Sequence, residues 1–220
     1  MNEAKMDMDV PIESKNIKSI TKSPKADETG YSPYPDMNLA QSIHRVAMMA
    51  GPQAKLNSTD ASSIGLSVES VMQVFQDVAG PNVQNPSLYR HLRHIFQASD
   101  NNNNTFGSYS LLSEDELCNI HTQHRSKITS LETKIEEAKE KAGDTEVLDA
   151  RFELARFAAK SLTKNEALDA YDKILKTPKL SSGKSMDALM ESARVASFYG
   201  DVVKVEDFIA KVCLFTLQGW

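Results

Sequence analysis

The chain has 220 residues, of which 40% are hydrophobic and 25% are charged, and this composition is typical of a globular protein with one or two domains. Its 30 acidic residues outnumber its 25 basic ones, and the net charge of −5 argues against general binding to nucleic acids or anionic membranes. No apolar run approaches the roughly 20 residues that span a bilayer, and the polar N-terminus is unlike a secretory signal. Cys118 and Cys213 belong to no CxxC motif, so we expect two reduced thiols in a cytoplasmic and nuclear protein.

The first half of the chain divides into a polar tail and a set of short helices. Residues 1–35 mix charged residues, Ser and Pro with few apolar residues, which predicts a disordered tail. Residues 36–112 predict N-terminal helices. The first begins at the capping residue Asp36, the second covers about residues 68–79, and the third opens at Pro86, directly after a capping Asn.

Residues 113–143 predict one long helix. Ser113 and Glu116 form a capping box at its start, and Gly143 closes it. Its apolar stripe recurs at spacings of three and four and consists of Leu117, Ile120, His124, Ile128, Leu131, Ile135, Ala138 and Ala142. About 29 residues give a rod of roughly 44 Å. The narrow stripe favours packing on a neighbouring helix, and a self-associating coiled coil is the alternative.

Residues 144–220 predict two helical hairpins. In the first, Leu154 and Ala155 are followed by Ala167 and then by Tyr171, which resembles the tetratricopeptide pattern. The helices of such a hairpin cross closely, so small residues are needed at the crossing, and Tyr171 would wedge into the next hairpin.

A second copy of this spacing follows 38 residues later, where Ala193, Val205 and Ile209 take the same roles. The two copies together predict an all-α protein with a TPR-like, right-handed helical-repeat array, or α-solenoid. Because every repeat leaves an apolar face for a neighbour, the second hairpin should continue an array or bind a partner near Trp220.

Catalytic signatures are missing from the sequence. It contains no glycine-rich phosphate loop, no GxSxG and no HExxH, so we expect no enzymatic activity and no cofactor. His91 with His94 and His121 with His124 lie one helical turn apart, and a zinc-dependent enzyme built on these pairs is an alternative. Histidines on the polar surface of a helix account for the two pairs better than a zinc site does, and we expect no metal site.

Arg90 and Arg93 form a small basic patch that, together with Trp220, is a candidate partner surface. Two fixed charges contribute little to nucleic-acid binding at physiological salt, so an acidic protein surface is the favoured partner. A stand-alone TPR peptide-binding module, which needs a basic clamp, is a further alternative. The lysines available for such a clamp are Lys160, Lys164, Lys173 and Lys176.

The run from Lys127 to Ala150 resembles a family of proteasome lid subunits, that of regulatory particle non-ATPase subunit seven. In that family, too, a long charged helix ends at a glycine before an acidic start to the repeats. The segments Asn165–Leu168 and Phe198–Asp201 resemble further turns of the family, and the resemblance covers residues 36–220.

This resemblance implies a non-catalytic scaffold subunit of the 26S proteasome regulatory particle lid. Such a subunit would support ubiquitin-dependent protein degradation within a hetero-oligomer, in contact with other lid subunits and the ATPase ring. The family continues into more helices and a C-terminal PCI domain, so the resemblance implies an N-terminal portion with a truncated array. A scaffold like the first subunit of the signalosome, which shares this plan, is the closest alternative.

Overall fold

Helices make up all the regular structure in the computed structural model over the residues that it describes, which are 35–50, 68–99, 112–141 and 143–218. In chain order they are α1 (Met37–Ala50), α2 (Val68–Ala79), α3 (Pro86–Ser99), α4 (Glu114–Lys141), α5 (Asp144–Ser161), α6 (Lys164–Leu175), α7 (Ser182–Phe198) and α8 (Val202–Gln218). The all-helical prediction is therefore confirmed. Apart from Pro35, the predicted disordered tail lies outside the described residues, as does Trp220.

The first three helices contact one another and enclose a core of their own. Its buried members on these helices and the α2–α3 loop are Leu39, Val46, Val71, Val74, Phe75, Val78, Val83, Leu88, Tyr89 and Leu92. Asn85 starts α3, because its side-chain oxygen accepts a hydrogen bond from the backbone N–H of Leu88 at 2.9 Å. Pro86 follows at the first helical position, where no backbone donor is needed.

Helix α4 begins against α3 and packs along α5. Its predicted capping box is present, since Glu116 accepts from the backbone N–H of Ser113 at 2.7 Å and Ser113 accepts from that of Glu116 at 3.2 Å. The buried positions form a narrow seam of Leu117, His124, Leu131 and Ile135. The remaining surface of the helix is largely exposed, which fits its low apolar content.

From α4 onward, each helix packs on the one that follows it in the chain, up to α8. This serial packing confirms the predicted helical-repeat array. The core of the array is rich in alanine and contains Phe152, Ala155, Ala158, Ala159, Ala167, Tyr171, Ile174, Ala188 and Val195. Gly200 ends α7 with φ of +68°, a left-handed conformation that glycine adopts without steric cost.

The N-terminal bundle and the repeats meet at the turn between α5 and α6. Asn85 donates to the carbonyl oxygen of Leu162 at 2.8 Å, and the Ser161 hydroxyl donates to the carbonyl oxygen of Val83 at 2.7 Å. Tyr199, at the end of α7, donates to the same Leu162 oxygen at 3.2 Å and packs against both cores. The described residues form one compact unit as a result.

Candidate interaction surfaces

The first predicted hairpin has small residues where its helices meet. Ala155 on α5 is 0% exposed and Ala167 on α6 is 1% exposed, while Leu154 is partly buried. Tyr171 is fully buried, with its ring in the core that α5, α6 and α7 share. The tyrosine thus lies between the first hairpin and the helix that follows it.

The residues at equivalent positions of the second hairpin are less buried. Ala193 on α7 is buried and Val205 on α8 is partly buried, but Ile209 is 47% exposed. The reason is geometric, because α7 covers the tyrosine of the first hairpin, whereas α8 packs mainly on α7.

Helix α8 therefore presents a large apolar surface. Its exposed large hydrophobic residues are Val202, Val203, Ile209, Leu214, Phe215 and Leu217. Val203, Ala210, Leu214 and Leu217 are separated by seven, four and three residues, so they form one stripe along the helix. Contiguous apolar surface of this kind marks interaction sites, because water solvates it poorly. We call these four residues the α8 stripe.

A charged network links three helices of the array. The Arg156 guanidinium on α5 contacts the Glu191 carboxylate on α7 at 2.6 Å, and the Tyr171 hydroxyl on α6 donates to that carboxylate at 2.8 Å. Burial, followed by the nearby Glu191 charge, raises the pKa of Tyr171, so this hydroxyl stays protonated as a donor. The network was not predicted from the sequence, because its members lie 15 to 35 residues apart with no motif linking them.

Both arginines of the predicted basic patch pair with one carboxylate within the fold. Arg90 pairs with Glu114 at 3.0 Å, and Arg93 pairs with the same carboxylate at 2.7 Å. The Arg93 guanidinium also donates to the carbonyl oxygen of Leu112 and lies 5.4 Å from the centre of the Tyr89 ring, and the side chain is only 16% exposed. These contacts give both arginines a structural role in joining α3 to the start of α4.

The lysines considered for a peptide clamp mostly bind groups of the chain itself. Lys164 pairs with Asp201 at 3.0 Å, and Lys176 pairs with Asp172 at 2.5 Å. Lys160 lies 3.4 Å from the carbonyl oxygen of Pro81, and Lys173 is exposed. Lys160, Lys164 and Lys176 are thus engaged by groups of the chain itself.

The histidine pairs differ in their surroundings. His91, His94 and His121 are exposed, whereas His124 is 5% exposed and packs into the α4–α5 junction. Within the described part of the chain, no three His, Cys, Asp or Glu side chains are arranged to hold a metal ion. None of the helices in this described part is long and apolar enough to cross a membrane. Cys118 and Cys213 are both exposed free thiols.

Comparison with known proteins connects this architecture to one family. No curated protein matches the chain significantly. The family model described as 26S proteasome subunit RPN7 matches residues 113–215, which extend from the cap of α4 almost to the end of α8. The match confirms the resemblance over these helices, whereas the resemblance over residues 36–112 stays a prediction. Helices α4 to α8, the part of the chain that this model matches, are thus similar to the family of the 26S proteasome subunit RPN7.

Proposed function

We propose that this protein is a non-catalytic scaffold subunit of the 26S proteasome regulatory particle lid, which supports ubiquitin-dependent protein degradation through protein–protein contacts. The observation that carries this proposal is the family match, which coincides with the serially packed helices α4 to α8. In this role the chain works as a hetero-oligomer in the cytoplasm and nucleus, next to other lid subunits and the ATPase ring.

The α8 stripe is the surface through which we expect the scaffold to dock. Apolar area removed from water contributes about 25 cal/mol per Å², so a partner that covers the stripe gains binding energy without a specific polar contact. The interior of the array shows the same chemistry, since α7 covers the apolar side of α5 and α6 with Ala188 and Val195. A subunit that presents a helix of similar, small-residue character would cover α8 in the same way.

Affinity purification tests the proposed assembly. The tagged full chain is expressed in its source cells, recovered under gentle conditions and analysed by mass spectrometry. We expect proteasome lid subunits to co-purify in stoichiometric amounts. Recovery with signalosome subunits would support the signalosome alternative instead, and recovery of the free chain alone would contradict both forms of the scaffold.

A charge-insertion variant tests the docking surface. Val203→Glu with Leu217→Glu should reduce the recovery of lid subunits at least tenfold, about 1.4 kcal/mol, because burying unpaired carboxylates opposes docking. Both positions are exposed, so the thermal midpoint of the isolated chain should stay unchanged. Ser126→Glu with Ser130→Glu, on the exposed surface of α4, is the matched control. Equal loss of subunits in both variants would argue against docking through α8.

A further inference from the structure

His124 is a buried imidazole in the middle of a helix–helix junction. It lies in the seam of α4 and meets the Phe157 ring of α5 edge-on, with ring centroids 5.5 Å apart and an interplanar angle of 89°. Its Nδ1 atom is buried and has no hydrogen-bond partner. The imidazole therefore packs as an aromatic ring while it keeps a titratable nitrogen out of water.

The charges around His124 make this position unfavourable for a proton. His121 and Arg125 of α4 line the same cleft of about 400 Å³ beside the imidazole, and Lys160 of α5 lies close enough to repel a positive charge. Further along the junction, Lys134 of α4 pairs with Glu153 of α5, so that carboxylate already has its cation.

The one carboxylate lining the cleft is that of Glu166, at the start of α6. It is engaged in the α6 capping box, where it accepts from the Thr163 backbone N–H at 3.0 Å and from the Thr163 hydroxyl at 2.5 Å. A protonated His124 would therefore lie close to the cations Arg125 and Lys160, while the carboxylate that lines the cleft is held by its two hydrogen bonds to Thr163.

We propose that His124 is an acid-sensitive latch, whose protonation in mildly acidic conditions releases α4 from α5. A protonated imidazole is more stable in water than in this packed position, so protonation favours states in which α4 has moved away from α5. Because α4 connects the N-terminal bundle to the repeats, its release would loosen the chain between its two cores. This inference does not depend on the proposed proteasomal function.

The direction of the pH effect depends on whether the packed state, in which His124 is buried between α4 and α5, favours the neutral or the protonated imidazole. Burial lowers the pKa of His124 below its ordinary value of 6.5, and the charges of His121 and Lys160 lower it further. The packed state thus binds the proton less readily than the open state. The stability that neutral His124 gives to the packed state is fully present above pH 6.5, and it is lost as the pH falls through the lowered pKa of His124.

Hydrogen exchange of the full chain, followed by mass spectrometry between about pH 5 and 8 and corrected for intrinsic exchange rates, tests the latch. In the wild type, the equilibrium constant for the opening of α4 should rise as the pH falls below 6.5. The total rise should approach about tenfold for each unit by which the pKa of His124 in the packed state lies below that in the open state. His124→Phe keeps a ring against Phe157 but cannot titrate, so its opening should not respond to acid. His91→Gln, at an exposed histidine of α3, should retain the wild-type response.

A wild-type response that is flat, or one that persists in His124→Phe, would overturn the proposal. If His124→Phe fails to fold, the imidazole resonances of the wild type give the answer, because they report the titration of His124 directly. A pKa at or above 6.5 would then overturn the latch, and a lower pKa that coincides with α4 opening would support it.

Discussion

Alanine side chains determine how closely the helices of the array approach one another. Ala155, Ala158 and Ala159 are buried on one side of α5, and Ala167 faces them from α6. A methyl group at these positions lets the two backbones come together, whereas a longer side chain would hold them apart. Close backbone approach at these alanines is therefore combined with the larger side chains of Phe152, Tyr171 and Ile174 in the same core.

Enlarging one of these alanines should separate the helices. Ala155→Leu inserts three carbon atoms at a position that is 0% exposed, and overpacking of this kind costs about 1–3 kcal/mol in the free energy of unfolding. Ala210→Leu makes the same change on the exposed surface of α8 and should alter the stability by less than about 0.5 kcal/mol. Chemical denaturation followed by circular dichroism measures both, and equal effects would show that α5 and α6 do not cross closely.

At the scale of one element, the start of α6 depends on a reciprocal pair of hydrogen bonds. Thr163 accepts from the backbone N–H of Glu166 at 3.3 Å, and the Glu166 carboxylate accepts from that of Thr163 at 3.0 Å. Helix α7 starts with a single bond of this kind, since Ser181 accepts from the backbone N–H of Lys184 at 3.4 Å. Lys184 stands where α6 has Glu166, so no carboxylate is there to accept from the Ser181 backbone N–H.

The two caps should therefore differ in strength. Thr163→Ala removes the acceptor for the Glu166 backbone N–H and the hydroxyl that donates to the Glu166 carboxylate, and we expect a loss of about 1–2 kcal/mol in the free energy of unfolding. Ser181→Ala should cost less, about 0.5 kcal/mol, because only one long hydrogen bond is removed. Thermal unfolding of the two variants side by side gives the comparison. A larger loss for Ser181→Ala would contradict this account of the α6 start.

Helices of this kind can be read from the sequence because their signals are local. The capping pair Ser113–Glu116 and the spacing of the α4 stripe lie within a few residues of one another and predicted that helix. The partners between helices could not be predicted in this way. Arg93 pairs with Glu114, 21 residues away, and only the packing of α3 on α4 brings the two together. The exposure of Ile209 depends in the same way on which helix lies beside α8.

Over the whole molecule, the carbonyl oxygen of Leu162 connects three separate parts of the fold. It accepts from Asn85 at the start of α3 and from Tyr199 at the end of α7, and it belongs itself to the α5–α6 turn. Burial raises the pKa of Tyr199 to about 12, so this tyrosine remains a donor at any physiological pH. The N-terminal bundle is therefore fixed to the repeats by directional contacts with one turn, next to the shared packing around Tyr199.

Removing the Asn85 contact should weaken the coupling between the two cores. Asn85→Ser keeps a side-chain acceptor for the backbone N–H of Leu88 and so preserves the start of α3, but it is too short to reach Leu162. We expect the free energy of unfolding to fall by about 0.5–1.5 kcal/mol, the usual net contribution of one hydrogen bond, because the Leu162 oxygen still accepts from Tyr199. Amide exchange should accelerate more in α1 to α3 than in α5 to α7, since the bundle loses one of its hydrogen bonds to the α5–α6 turn, whereas the turn keeps its bond to Tyr199. Asn82→Ser, an exposed position of the same loop, is the matched control, and equal exchange in both variants would mean that the cores are held together by packing alone.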